Sequence, residues 1–85
     1  MRLDKFLKVS RIIKRRSVAK EISDAGRVTI NNKAAKSSTP VSIGDEISVR
    51  YGDKTLTVRI KRLSESTKKE DAKMMYEIIS QKGDT

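Results

Sequence analysis

"RIIKRRSVAKEISDAGRV", residues 11–28, decides how this chain folds. Its second half has the form of a helix. Ser17 offers a side-chain oxygen to the free amides of a first turn, and Val18, Ile22 and Ala25 follow at i, i+4 and i+7 along one apolar face. Gly26 closes the helix, because glycine enters the left-handed conformation of a C-terminal cap without penalty, so "DAGRV" reads as helix end and then strand. The first half is electrostatically awkward. Lys14, Arg15 and Arg16 set three like charges in a row in front of that helix, a cost that binding to a polyanion would relieve.

Toward the N-terminus, Leu3, Phe6 and Leu7 stand at i, i+3 and i+4, the apolar stripe of a short helix, while Arg2, Lys5 and Lys8 fall on its other sides. Phe6 is the only phenylalanine. It has the chemistry to stack on a base, but its place on the apolar stripe favours packing. Toward the C-terminus the period changes to two. Val28 and Ile30 alternate with Arg27 and Thr29, Asn31-Asn32 tolerates the positive φ of a tight hairpin, and a return strand follows through Ala34 and Ala35. After a proline-containing loop and an Ile43-Gly44-Asp45 turn, Ile47, Val49 and Tyr51 form one strand, and Leu56, Val58 and Ile60 another beyond a Gly52-Asp53 turn.

The last segment looks helical. Thr67-Lys68-Lys69-Glu70 is a capping box, and Ala72, Met75, Tyr76 and Ile79 fall at i, i+3, i+4 and i+7. Such a Met and Tyr face suits either the core or a partner groove, and in a chain this small the core needs it. The expected fold is α+β: two short N-terminal helices packed on a small antiparallel sheet, plus a C-terminal helix. Residues 1–62 form the domain with its sheet, and residues 63–85 the helix packed on it.

At 85 residues with 35% hydrophobic content, the chain suits one small domain with one modest core. Its formal charge is +9, which favours nucleic acid or an acidic membrane surface as partner. From Arg2 to Lys36 there are 11 Lys or Arg against three acids (Asp4, Glu21, Asp24), a net of +8, whereas from Ser37 to Thr85 nine bases face eight acids. A generic solubilising surface would intersperse the two signs more evenly. Cysteine and histidine are both absent, which excludes disulfides, Cys/His zinc sites and imidazole acid-base chemistry. Ser and Thr therefore lack a histidine partner, the acids form no recognisable pair, and there is no Gly-rich phosphate loop. We expect no enzyme, no catalytic residue, no metal and no cofactor. No stretch approaches the roughly 20 apolar residues of a membrane span, and the N-terminus lacks a secretion signal's apolar core, so a cytoplasmic protein is expected.

If both N-terminal helices turn their apolar stripes to the sheet, Arg2, Lys5, Lys8, Arg11, Lys14, Arg15, Arg16 and Lys20 gather around their outer face. That is a surface for phosphate: arginine's planar fork suits bidentate contacts, and lysine serves as a point charge. The alternative of a membrane-surface helix is weaker, because the basic helices are short, interrupted, and need their large apolar residues for the core.

These segments carry a family resemblance. "RLDKFL", the basic run before "SVAKEISDAGRV", the "VTINNK" hairpin and the "IGDEI" turn resemble the alpha-L RNA-binding domain, the type first described in small-subunit ribosomal protein S-four, over about residues 1–50. The resemblance implies an RNA-binding helix pair on a small antiparallel sheet, as in ribosomal proteins, pseudouridine synthases and tyrosyl-tRNA synthetases. Through "MRLDKFLKVSRIIKRR" and "TKKEDAKMMYEI" the chain is also similar to the stand-alone heat-shock-protein-fifteen group, and most closely to its short Gram-positive members. Two departures stand out: the hairpin turn, commonly Asn-Gly in this domain, is Asn31-Asn32, and the long basic C-terminal extension of the longer members is missing.

What the short branch implies is specific. It implies binding to ribosomal RNA and peptidyl-tRNA on an obstructed large ribosomal subunit, and stabilisation of P-site tRNA during template-free alanine tailing by another factor on that subunit. Off the ribosome the protein is expected to be a monomer. Arg2 and Arg16 are the leading RNA contacts, supported by Lys5, Lys8, Arg11, Lys14 and Arg15. Two other readings stand beside it: a heat-shock-type recycling factor for large subunits, and an RNA-binding module acting in trans for an RNA-modifying enzyme.

Overall fold

The computed structural model describes residues 1–65 and 68–82. Helices α1 (Leu3–Val9) and α2 (Arg16–Asp24) precede strands β1 (Val28–Ile30), β2 (Lys33–Ala34), β3 (Glu46–Tyr51) and β4 (Lys54–Ile60). A short helix α3 (Lys69–Met74) and a strand β5 (Tyr76–Lys82) complete the chain. The five strands form one sheet in the order β2-β1-β3-β4-β5, and every neighbouring pair is antiparallel. Among the described residues no helix is long and apolar enough to cross a membrane.

Leu3, Phe6 and Leu7 are fully buried, as the α1 stripe requires, and they join Val28, Ile47, Val49, Val58 and Ile60 from one face of the sheet in a single core. No side chain caps α1. Its first amides are instead satisfied from elsewhere: Leu3 N donates to Thr39 O at 2.8 Å, Asp4 N to Ser37 O at 3.1 Å, and Lys5 N to the Asp4 carboxylate at 2.8 Å. The proline-containing loop thereby clamps the start of the chain.

The packing makes a direct forecast for Phe6. Phe6→Ala should cost about 3–5 kcal/mol, the usual range for emptying a buried aromatic site, and lower the thermal midpoint by more than about 12 °C. Thermal unfolding followed by circular dichroism checks it, and a shift of a few degrees would mean that the ring is no core residue.

Helix α2 departs from its expected details. Ser17 is not its cap: the helix starts at Arg16, with Arg15 in extended conformation at the N-cap and no side-chain cap bond. Nor is the buried face Val18-Ile22-Ala25. Ala19 and Ser23 are fully buried, Ile22 is partly covered, and Val18 is 40% exposed. Small side chains face inward because α2 lies close against its neighbours, and the buried Ser23 hydroxyl is satisfied by Ala19 O at 2.7 Å. The end matches its sequence signal. Gly26 has φ +81°, with Gly26 N on Ser23 O and Arg27 N on Ile22 O, both 3.0 Å, the paired bonds of a Schellman cap.

Asn31 and Asn32 both take positive φ, at 51° and 69°, so the hairpin forms without the usual glycine. Strands β3 and β4 follow the expected alternation, and Gly52, φ +58°, turns between them. The C-terminal helix is present but shorter than its periodicity suggests, ending at Met74 with only Ala72 buried. Tyr76 and Ile79 lie on β5, which pairs with β4 across a bulge between Thr57 and Val58. β-branched Ile78 and Ile79 fit a strand, and the open edge of β4 supplied the donors and acceptors that a longer helix would have left unpaired. Thr67 of the capping box lies outside the described residues.

Candidate nucleic-acid interface

The organising group is an acid. Asp4 is only 2% exposed, on the α1 side that also carries Leu3 and Leu7. The guanidinium of Arg2 grips it with Nε on Oδ1 and Nη2 on Oδ2, both at 3.3 Å, while Arg16 Nη2 reaches Oδ1 at 3.4 Å. One carboxylate thus holds an arginine from the start of each helix, and each arginine side chain stays about half exposed. A buried carboxylate needs such partners, since leaving it alone would cost several kcal/mol. The partners in turn become fixed, which reduces the side-chain entropy lost on gripping a phosphate.

The other cations group around this pair. Lys8, Arg11 and Lys14 line a cleft of about 440 Å³ together with Val9. Arg11 turns the chain there with φ +62°, a left-handed conformation unusual for arginine and of the kind found at functional sites. Arg15 and Arg16 occupy the cap and first turn of α2, a turn without an acid, where the helix dipole disfavours positive charge and an incoming anion would relieve it. Lys8, Lys14, Arg15 and Lys20 make no ion pair within 4 Å among the described residues.

Two of the expected residues stand differently from the rest. Lys5 pairs with Glu65, whose carboxyl is held below its ordinary range by the Lys5 hydrogen bond first and its charge second. That partner comes from the half of the chain that composition marked as nearly neutral. Lys20 lies a turn beyond Arg16, toward the far end of α2, where Lys20 and Lys36 act on Asp24. Asp24 accepts from Ser37 N at 2.9 Å and Ser37 Oγ at 3.1 Å, and the backbone bond is the main reason its carboxyl sits below the ordinary range.

Sequence reasoning counted Asp4 only as a minority acid. Its signal was its position, beside two residues of the α1 apolar stripe, where an unpaired carboxylate would be costly. A second cleft also went unforeseen: Arg27 and Arg50 line the solvent face of the sheet with Thr29, Ser48 and Thr55. Among the described residues no cluster of acids suits a metal ion.

The S4 domain matches residues 1–47. The chain belongs to the S4 domain family. Among curated proteins of the family, the RQC P-site tRNA stabilizing factor of Streptococcus pneumoniae is 58% identical over 95% of this chain and 92% of its own length. The protein of the same name from Bacillus subtilis is 56% identical over 95% and 94%. Heat shock protein 15 of Escherichia coli is more distant, 32% identical over 91% of this chain but 59% of its own length. The trimeric structure of Vibrio cholerae Heat Shock Protein 15 superposes with a TM-score of 0.86, at 33% identity, over 94% of this chain and 82% of that one. This S4 domain chain therefore shares both its length and most of its sequence with the stabilizing factors, and its fold with the heat shock protein.

Proposed function

We propose that this S4 domain protein is a non-enzymatic RNA-binding factor of ribosome-associated quality control. Its α1–α2 surface holds ribosomal RNA and peptidyl-tRNA on an obstructed large ribosomal subunit and so stabilises tRNA in the P site. A separate factor on the same subunit performs the template-free alanine tailing that this stabilisation serves. The observation that carries the reading is the Arg2–Asp4–Arg16 cluster, in a chain 58% identical to a protein named for stabilising P-site tRNA.

The chemistry is that of binding alone. Asp4 occupies part of each guanidinium fork, and the remaining N–H donors of Arg2 and Arg16 are suited to phosphate oxygens. Lys8, Arg11, Lys14 and Arg15 extend the positive surface along the backbone of the same RNA, with Lys5 and Lys20 at its margins. A factor that binds only the tRNA-occupied subunit raises the occupancy of that state by mass action, and no bond need be made or broken. All eight cations lie on one chain, which lets a monomer form the whole surface, and the protein is proposed to act as a monomer in the cytoplasm, where ribosomes are. Residues 1–62 supply the RNA-binding surface, and strand β5 extends their sheet at the β4 edge.

Sedimentation tests this against service to a modifying enzyme. The protein should comigrate with large subunits, most strongly with those that retain peptidyl-tRNA. Copurification with an RNA-modifying enzyme, and absence from the subunit fractions, would overturn the proposal.

A further inference from the structure

Ile12, Ile13, Val18, Ile22 and Tyr51 line an apolar groove of about 260 Å³ between the α1–α2 corner and the end of β3. Ile12, Ile13 and Ile22 are partly buried and pack against the core, which leaves Val18 and Tyr51 as the exposed part of the lining. Val18 is 40% and Tyr51 42% exposed, while the buried side of α2 is made by Ala19 and Ser23. The surroundings are charged. Within two positions of the five lining residues stand six bases (Arg11, Lys14, Arg15, Arg16, Lys20, Arg50) against three acids (Glu21, Asp24, Asp53), and Asp24 is engaged by Ser37. The groove adjoins one basic cleft in sequence, since Ile12 and Ile13 lie between its Arg11 and Lys14, whereas Arg50, beside Tyr51 on β3, faces the other side of the sheet.

An apolar slot with one exposed aromatic ring, bordered by cations, matches a particular ligand. We propose that it takes an unpaired nucleobase, which stacks on Tyr51 against Val18 and Ile22 while its flanking phosphates run toward Lys14 and Arg15. The inference rests on the RNA-binding reading above and adds to it a single-stranded element. An apolar protein segment would fill the same slot, but it would gain nothing from the cations at the rim. Stacking is tolerant of base identity, so the site should prefer unpaired over paired RNA and show little sequence preference.

The probe is a five-nucleotide single-stranded RNA with 2-aminopurine at its centre, titrated beside a short RNA duplex. With the wild-type protein the 2-aminopurine fluorescence should be quenched on binding. Tyr51→Phe should keep both quench and affinity, whereas Tyr51→Ala should lose the quench and bind the pentamer roughly tenfold more weakly, with less than about a twofold change on the duplex. Tyr51 is half exposed, and the thermal midpoint of each variant verifies that the fold survives. Unchanged pentamer binding and quench in Tyr51→Ala would overturn the groove assignment. So would a Tyr51→Ala protein that binds RNA normally but loses a protein partner or self-association. A wild-type protein that binds neither pentamer nor duplex would fail the RNA reading itself, a different result from duplex binding without a stacked base.

Discussion

Arg16→Glu should weaken association with large ribosomal subunits by at least about a hundredfold, because it removes one half of a held arginine pair and faces the RNA with a carboxylate. Loss of one partner from a close charge pair commonly costs 2–5 kcal/mol or more, and the reversal adds repulsion on top. The neighbour makes the case sharper: Arg16 Nη2 sits 3.4 Å from the buried Asp4 carboxylate, so a glutamate there meets a like charge as well. Arg16→Gln separates the two effects. It keeps an amide donor for Asp4 and should lose only about tenfold, the value of one charged phosphate contact with the fold undisturbed. Arg59→Glu is the control, since Arg59 lies on the sheet, half exposed and 3.8 Å from Glu46, and its reversal should change binding less than about threefold. Equal losses at positions 16 and 59, in proteins that melt normally, would remove the interface from the helix pair.

Salt should act as strongly. If about six phosphates are neutralised at the α1–α2 surface, and each releases a condensed counterion, affinity falls about a thousandfold between roughly 50 and 200 mM salt. The slope reports the number of contacts, so Arg16→Gln should lower it by about one. Binding to purified subunits across a salt series gives both values. A flat response would mean that the groups holding the RNA are not these cations.

Most of the fold was legible because its signals were local. The stripe of Leu3, Phe6 and Leu7, the glycine after α2, the paired asparagines and the alternation in β3 and β4 each depend on a few adjacent residues, and each stands as its spacing implies. What was illegible depended on neighbours distant in sequence. Ala72, Met75, Tyr76 and Ile79 have helical spacing, yet the segment after Met75 is drawn into a strand by the open edge of β4. Similarly, Val18 looks like part of a core stripe with Ile22, yet only Ile22 packs against the core while the inward side of α2 falls to Ala19 and Ser23.

The site divides in the same way. Composition placed the charge excess on the first helices, but charge counting is blind to pairing. It ranked Lys5 with the others although Glu65, 60 residues away in sequence, neutralises it in part. It set Asp4 against the site, when Asp4 is the group that positions Arg2 and Arg16. For that reason these arginines are not ordinary surface charges, whose removal costs almost nothing. Truncating both to alanine would strand a buried carboxylate and confuse unfolding with lost binding.

The central claim is that this protein acts by holding tRNA in the P site through that pair. The most direct measurement is P-site tRNA occupancy on obstructed large subunits, read by cryo-electron microscopy classification with and without added protein. Wild-type protein should raise the occupancy in proportion to its own bound fraction, without hydrolysing nucleotide or cleaving peptidyl-tRNA. The Arg2→Gln, Arg16→Gln double variant should melt close to the wild type and give no gain. An undiminished gain from a double variant that no longer binds the subunit, or full binding by wild-type protein with occupancy unchanged, would contradict the account.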